Sequence, residues 1–324
     1  MILTLLMIMF NTEKLLTKYK LFYQYPVITE LEFYNQNINE STYCGIPWAT
    51  IIDKKYNKNS IIEEFISFFD KNVTYYTCCQ HIYFRDLIQI FKIFNIKTVY
   101  TPHKLINEDY IDNIKIMPCP LYAVNIEDNK RNIEFQNIDF INIDRPILYS
   151  FMGAYDQHYI SDIRKDIFIM EHCNDSVIIN IGKWHFNDIV YSHKQNQNIE
   201  LNIDKKHIDN KTKYNELLLK SKFSLCPSGA GPSSIRFYES LAVGSIPVLL
   251  SDDLDLPYNI DWDNTIIKIK EKDIKNIENI LKNIDKNRIQ ELKINCINVY
   301  NKLKKNYKCY SFIKQYDLDM NFIK

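Results

Sequence analysis

The stretch Ser221–Pro257, SKFSLCPSGAGPSSIRFYESLAVGSIPVLLSDDLDLP, decides the fold. It holds Gly229, Gly231 and Gly244, half of the chain's 6 glycines, and four of its 10 prolines. Elsewhere Asn, Ile and Lys are over-used, as in an AT-rich genome. Glycines and prolines that survive such a bias mark places where the backbone needs them. Hydrophobic spacing predicts a strand over 223–226, a Pro-Ser-Gly-Ala-Gly-Pro loop, a helix over 233–243 and a strand over 246–250. A glycine-rich loop between a strand and a helix lets backbone approach a ligand, and the helix N-terminus adds unpaired N–H groups and a positive dipole.

The polar residues of this window fit an anion. Ser228 lies in the loop, and Ser233 and Ser234 can cap the helix or donate to a phosphate. Arg236 falls in the first helical turn, where a cation opposes the macrodipole by several tenths of a kcal/mol unless an anion is bound. Glu239, three residues on, can neighbour Arg236 or accept from ribose hydroxyls. The plain alternative is a capped helix with a surface Arg–Glu pair. A rival reading takes Gly229-Ala-Gly231-Pro-Ser-Ser234 as an imperfect GxGxxG with Asp252 and Asp253 as ribose acids, and hence an NAD-dependent oxidoreductase. Ser234 in place of the third glycine, and Pro232 within the turn, count against it.

Working outward, the same alternation continues. Residues 61–69 have helical spacing, 72–79 are β-branched and aromatic, 84–94 read as an amphipathic helix, and 98–100 as a short strand. After the polar, aperiodic run 126–146 come a strand over 147–152, Gly153, a helix from about Asp162, a strand over 177–181 and a short helix over 214–220; 272–305 read as mostly helical. Strand–helix–strand rhythm means βαβ units and parallel sheets. A chain of 324 residues suits two domains of roughly 150 residues each. The fold class is therefore α/β, with two Rossmann-like βαβ domains facing a central cleft and ligands at the carboxyl ends of the strands.

Ser221–Trp262 also resembles a known family. Its S-x-F-x-L-x-P-x-G, S-x-R-F-x-E-x-L, G-x-I-P-V-x-L-S-D, L-P and D-W elements, in that order, are similar to the exostosin domain of glycosyltransferase family 47. Weaker likeness extends to 148–168, and 77–103 and 118–125 look like acceptor-side segments of microbial and viral exostosin-like proteins. The resemblance implies a GT-B fold: residues 1–145 as the acceptor-side domain, 146–300 as the nucleotide-sugar domain, and 301–324 as a helical tail. It implies inverting transfer from a nucleotide-sugar, usually a UDP-sugar, to a glycan or glycoprotein acceptor. Arg164 and Arg236 would contact the diphosphate, with Gly153 and the loop from Ser228 through Gly229 and Gly231 to Ser233 and Ser234 packed against it. Glu239 would hold the ribose. A non-catalytic glycan-binding or assembly subunit with the same fold is the alternative.

Inversion needs a base for the acceptor hydroxyl. His81 and His103 follow predicted strands of the N-terminal half and are candidates; Asp156, in the loop after Gly153, is the next. Trp184-His185 could line the sugar pocket. Asp253-Leu254-Asp255 has the DxD spacing of metal-dependent transferases, but its position before Pro257 reads as a solvated loop. No metal and no cofactor is expected.

Bulk composition excludes other classes. Lys plus Arg is 40 and Asp plus Glu is 40, so no basic excess points to nucleic acid. Eight cysteines without a CxxC pair read as free buried thiols in a reducing compartment rather than a disulfide framework or zinc site. The apolar opening MILTLLMIMF is too short to span a bilayer and lacks a basic flank. The expectation is a soluble, cytoplasmic protein, with membrane association not predicted.

Overall fold

The computed structural model describes residues 21–183 and 205–305. The apolar opening and Trp184-His185 lie outside the described residues.

The first sheet is built from β1 (Tyr43–Cys44), β2 (Tyr75–Cys78), β3 (Ile96–Thr101), β4 (Tyr110–Ile111) and β5 (Ile114–Pro118), in the order β1-β2-β3-β5-β4. All of its pairings are parallel except the β4–β5 hairpin at the edge. The second sheet joins β6 (Ile147–Gly153), β7 (Ser176–Asn180), β8 (Ser221–Pro227), β9 (Ile246–Leu250) and β10 (Ile267–Lys268) in the order β10-β9-β8-β6-β7, parallel throughout. Such sheets are covered on both faces, which is why β2, β-branched and aromatic, and β9, apolar throughout, are buried at every position. Two parallel-rich sheets with helical layers, facing a common cleft, make the chain GT-B-like.

Each sheet has its own core. Phe84, Phe91, Phe94, Trp48 and Ile96 close under the first. Tyr149, Phe151, Phe223, Phe237, Leu241 and Trp262 pack under the second. Full burial of each such side chain contributes about 1.5–3 kcal/mol. The helix Ile235–Val243 is enclosed from Phe237 onward, as expected of a helix sandwiched between a sheet and another helix. It stops at Gly244, whose φ of +68° is left-handed, and whose N–H returns to the carbonyls of Leu241 and Ser240.

Several elements differ from their expected bounds. The 84–94 run is a 3-10 turn, Phe84–Leu87, followed by an α-helix, Ile88–Ile93. Lys58 Nζ takes the Asp86 carbonyl at 2.6 Å, an acceptor that a continuous helix would have used. The short helix expected at 214–220 is the last part of Lys205–Lys220. The chain joins the second core before the polar run begins, because Leu121 and Ala123 already pack there. A single helix, Lys286–Lys305, crosses residue 300, so a tail drawn from 301 would begin inside it. Seven cysteines fall among the described residues and all are unpaired, six of them buried. No helix among these residues is long and apolar enough to cross a membrane.

Candidate active site

The carboxyl ends of the two sheets face one another across a cavity of about 500 Å³. Residues just beyond β2 and β3 (His81, His103) line one wall. The other is lined by Gly153 at the end of β6 and by Gly229, Gly231, Ser233 and Ser234 after β8, with Arg164, Arg236 and Glu239.

Two arginines dominate the second wall. Arg164 Nε donates to the Ser228 carbonyl at 2.7 Å and Nη1 to the Ala154 carbonyl at 3.2 Å. Arg236 Nη2 donates to the Met152 carbonyl. Both guanidinium groups lie over the Phe151 ring, at 5.7 and 4.7 Å from its centre; Tyr159 stacks on Arg164 and Tyr214 on Arg236. Neither has an ion-pair partner among the described residues; their acceptors are neutral carbonyls. Burial pulls the Arg164 guanidinium down to about 10; Tyr159 opposes this and the like charge of Arg236 adds to it. Two neighbouring cations are held by carbonyls and ring faces, and the buried Glu239 carboxylate acts on Arg236 without a direct hydrogen bond; such a pair has donors and charge that suit an anion.

The glycines set the spacing. A Cβ on Gly229 would stand 2.7 Å from Arg164 Nη2, and one on Gly231 would stand 2.9 Å from His103 Nδ1. The first glycine lets the loop lie on the arginine; the second lets the two walls touch. Ser233 Oγ is buried without a hydrogen-bond partner, and the residue lines the cavity.

Several expectations need correction. Ser228 does not line the cavity: its hydroxyl donates to Glu271 Oε1 at 3.1 Å and pairs with Ser161 at 3.0 Å, while its carbonyl holds Arg164. Ser234 is the helix N-cap by position but its side chain makes no cap bond. Arg236 and Glu239 form no surface pair. Glu239 is 3% exposed, accepts from the Tyr214 hydroxyl and from the Asn125 N–H at 3.3 Å, and its pKa is raised by burial. It still lines the cavity, with lone pairs left for a hydroxyl. The dinucleotide reading loses its ribose acid, since neither Asp252 nor Asp253 lines the cavity and Asp252 accepts from the Glu271 N–H.

The Asp253-Leu254-Asp255 segment is a solvated loop only in part: Asp253 is exposed, Leu254 is buried and Asp255 lies between. Leu254 pairs with Leu105 in an antiparallel bridge, Ile106 N–H donates to the Asp253 carbonyl at 2.9 Å, and Asp255 N–H donates to the Lys104 carbonyl at 3.1 Å. Lys104, 1% exposed, bonds Asp255 across the same seam and Asp109 at 3.0 Å. Burial works against its charge, but Asp255, Tyr258 and Asp109 hold its pKa above the ordinary lysine value. The segment therefore joins the two domains through its main chain and the Asp255 carboxylate. Among the described residues no three His, Cys, Asp or Glu side chains stand together as metal ligands.

Of the three proposed bases, His81 and His103 reach the cavity from the first domain. His81 Nε2 meets Asp53 Oδ1 at 2.9 Å, and His81 Nδ1 accepts the Tyr83 N–H at 3.0 Å. His103 is 4% exposed, with Nδ1 unpartnered; burial pushes it down to about 3, and the like charges of His81 and Arg85 add to this. Asp156 also lines the cavity but stands on the second domain, where Oδ1 accepts the His158 N–H at 2.9 Å in its own turn.

Sequence reasoning missed Asp53 and Glu30. Glu30, 1% exposed, accepts from the Gln80 N–H at 3.0 Å and the Ala49 N–H at 3.1 Å, tying together two residues that line the cavity. Burial raises its pKa to about 8 against those hydrogen bonds, and Asp53 adds to the rise. A raised folded pKa means that the native state holds the proton more tightly, so this stabilisation is complete below the ordinary value of 4.5 and is lost as pH rises through about 8. Urea unfolding at pH 5.5 and 8.5 should show the protein losing stability across this interval, with Glu30→Gln losing clearly less. Equal losses would mean that Glu30 is ionised throughout.

Comparison with known proteins bears on the family. The Exostosin GT47 domain matches residues 90–284, more than half of the chain's 324. The Exostosin-1 homolog of Caenorhabditis elegans is 32% identical over 168 residues, covering 51% of this chain and 42% of that protein. A probable beta-1,4-xylosyltransferase of Arabidopsis thaliana is 37% identical over 78 residues, 24% of this chain and 19% of that protein. A probable glucuronoxylan glucuronosyltransferase of the same plant is 33% identical over 73 residues, 22% of this chain and 16% of that protein. The chain thus matches less than half the length of each of these relatives. With the domain match running from the helix before β3 to the helix after β10, through the glycine loop and both arginines, the chain belongs to the Exostosin GT47 domain family.

Proposed function

We propose that this chain is an inverting glycosyltransferase that moves a sugar from a nucleotide-sugar, a UDP-sugar, to a hydroxyl of a glycan or glycoconjugate, without a metal. The observation that carries this reading is the neighbouring pair Arg164 and Arg236, held by main-chain carbonyls beside the glycine loop. The diphosphate neutralises the pair, and as the glycosidic bond breaks the same donors take up the charge that develops on the leaving group. Glu239 faces the ribose, and the unpartnered Ser233 hydroxyl donates to a phosphate oxygen. The named activities of the relatives support glycosyl transfer and suggest UDP-xylose and UDP-glucuronic acid as the first donors to try.

Thermal shift against UDP-, GDP- and CMP-sugars, with NAD as control, tests the reading. A ligand at a hundred times its dissociation constant adds about 2.7 kcal/mol. Stabilisation by one nucleotide class, unchanged by EDTA, is the expected result. A requirement for divalent metal would overturn the metal-free mechanism, and stabilisation by glycans alone would favour a binding subunit.

A further inference from the structure

We infer that the carboxylate of Asp53 is the base that takes the proton from the acceptor hydroxyl, with His81 as the residue that positions it. The inference rests on the transferase reading above and identifies the one group which that reading leaves unnamed.

The base must present a free lone pair to the cavity from the wall opposite the arginines. His81 does not. Its Nδ1 accepts the Tyr83 N–H, so the ring proton sits on Nε2 and is donated to Asp53 Oδ1. Both ring nitrogens are occupied. His103 has a free Nδ1, but this nitrogen packs against Gly231, and its deep burial disfavours the imidazolium that proton transfer would create. It is suited to accepting a hydrogen bond from a substrate hydroxyl, not to keeping the proton. Asp156 stands on the same wall as the donor loop and the arginines, not opposite them.

Asp53 meets the requirement. It ends the helix Trp48–Asp53, lines the cavity, and has a side chain only 11% exposed. Oδ1 accepts from His81 and Oδ2 from Gln24 Nε2 at 2.5 Å. A carboxylate oxygen has two lone pairs, so each oxygen keeps one for a substrate. The two fixed donors hold the carboxylate in one orientation, which is what a base needs for aligned proton transfer. In the step itself the acceptor O–H bond breaks and its proton passes to Asp53. The oxygen's electron pair forms the new bond to the anomeric carbon. The bond from that carbon to the diphosphate oxygen breaks, and the nucleoside diphosphate leaves with the pair, facing Arg164 and Arg236.

The test uses the full chain with UDP-xylose and UDP-glucuronic acid as donors and 4-nitrophenyl glycosides as acceptors, with UDP release as the rate and calorimetry with UDP as a separate readout. Asp53→Asn is expected to bind UDP like the parent protein and to lose about 100-fold or more of kcat. Added formate should restore part of the rate to Asp53→Ala. His81→Asn, whose amide can still donate to Asp53, should lose less than His81→Ala. An undiminished kcat in Asp53→Asn, or a loss of UDP binding in that variant, would overturn the inference. So would failure of formate together with His81→Asn as inactive as Asp53→Asn, which would make His81 the base. No UDP release by the parent protein would instead sink the transferase reading on which the inference rests.

Discussion

Arg236→Ala is expected to weaken UDP-sugar binding by about 2–5 kcal/mol, the usual cost of truncating one partner of a desolvated charge pair, or roughly 30-fold or more in dissociation constant. The side chain spans the gap between the Met152 carbonyl and the cavity and is sandwiched by Phe151 and Tyr214. Its removal leaves Arg164 without the neighbouring guanidinium, with Lys183 as the other cation lining that wall. Arg236→Lys should fall between the two, because an ammonium keeps the charge but cannot donate as a planar fork while stacking on a ring. Calorimetry with UDP alone separates this from effects on turnover. Parent-like affinity in Arg236→Ala would remove the diphosphate from this place and leave the arginine a structural role. Little stability should be lost, because the group is held by one carbonyl and two ring faces.

The second large effect concerns folding. Arg145 is 4% exposed and donates to the carbonyls of Leu218 (2.6 Å), Ser221 (2.9 Å) and Val243. Leu218 and Val243 lie in the last turns of the helices Lys205–Lys220 and Ile235–Val243, where carbonyls lack intrahelical donors and a cation is favoured by the dipole. Burial pulls this guanidinium down to about 10, so the contact already carries a desolvation cost that the three carbonyls offset. Arg145→Ala leaves buried acceptors with fewer donors and is expected to cost about 3–5 kcal/mol in urea unfolding. Ser221 keeps one donor, the Ser245 hydroxyl at 3.0 Å. Arg145→Met, which restores volume without hydrogen bonds, should recover little. A loss below about 1 kcal/mol for both variants would show that the carbonyls find other partners.

These two arginines differ in how they announce themselves. Arg236 stands among glycines, prolines and serines whose roles are local, and the β8–loop–helix–β9 unit was legible to within a few residues because its signals act over one turn. Arg145 sits in a polar, aperiodic run, and its partner Val243 is 98 positions away. Asp53 and His81 are 28 apart, and Glu30 and Gln80 are 50 apart. No period or spacing encodes such meetings; they exist only after the sheet has brought distant strand ends together. The same limit explains Ser228, whose side chain was expected to face the ligand but turns to Glu271, 43 positions on. It also explains the acidic pair at Asp253 and Asp255, whose partners lie near Lys104.

That last seam constrains how the molecule can move. Main-chain bonds at 2.9 and 3.1 Å run across it, with buried Lys104 paired to the partly exposed Asp255 beside them. A rung-and-rail connection of this kind resists sliding, because translation by one residue would break every rung at once. Rotation about its long axis changes each bond only slightly. At Leu105 and Leu254 the two lobes are thus held in one register, and a relative displacement there that keeps these bonds is a turn about the seam and not a slip along it.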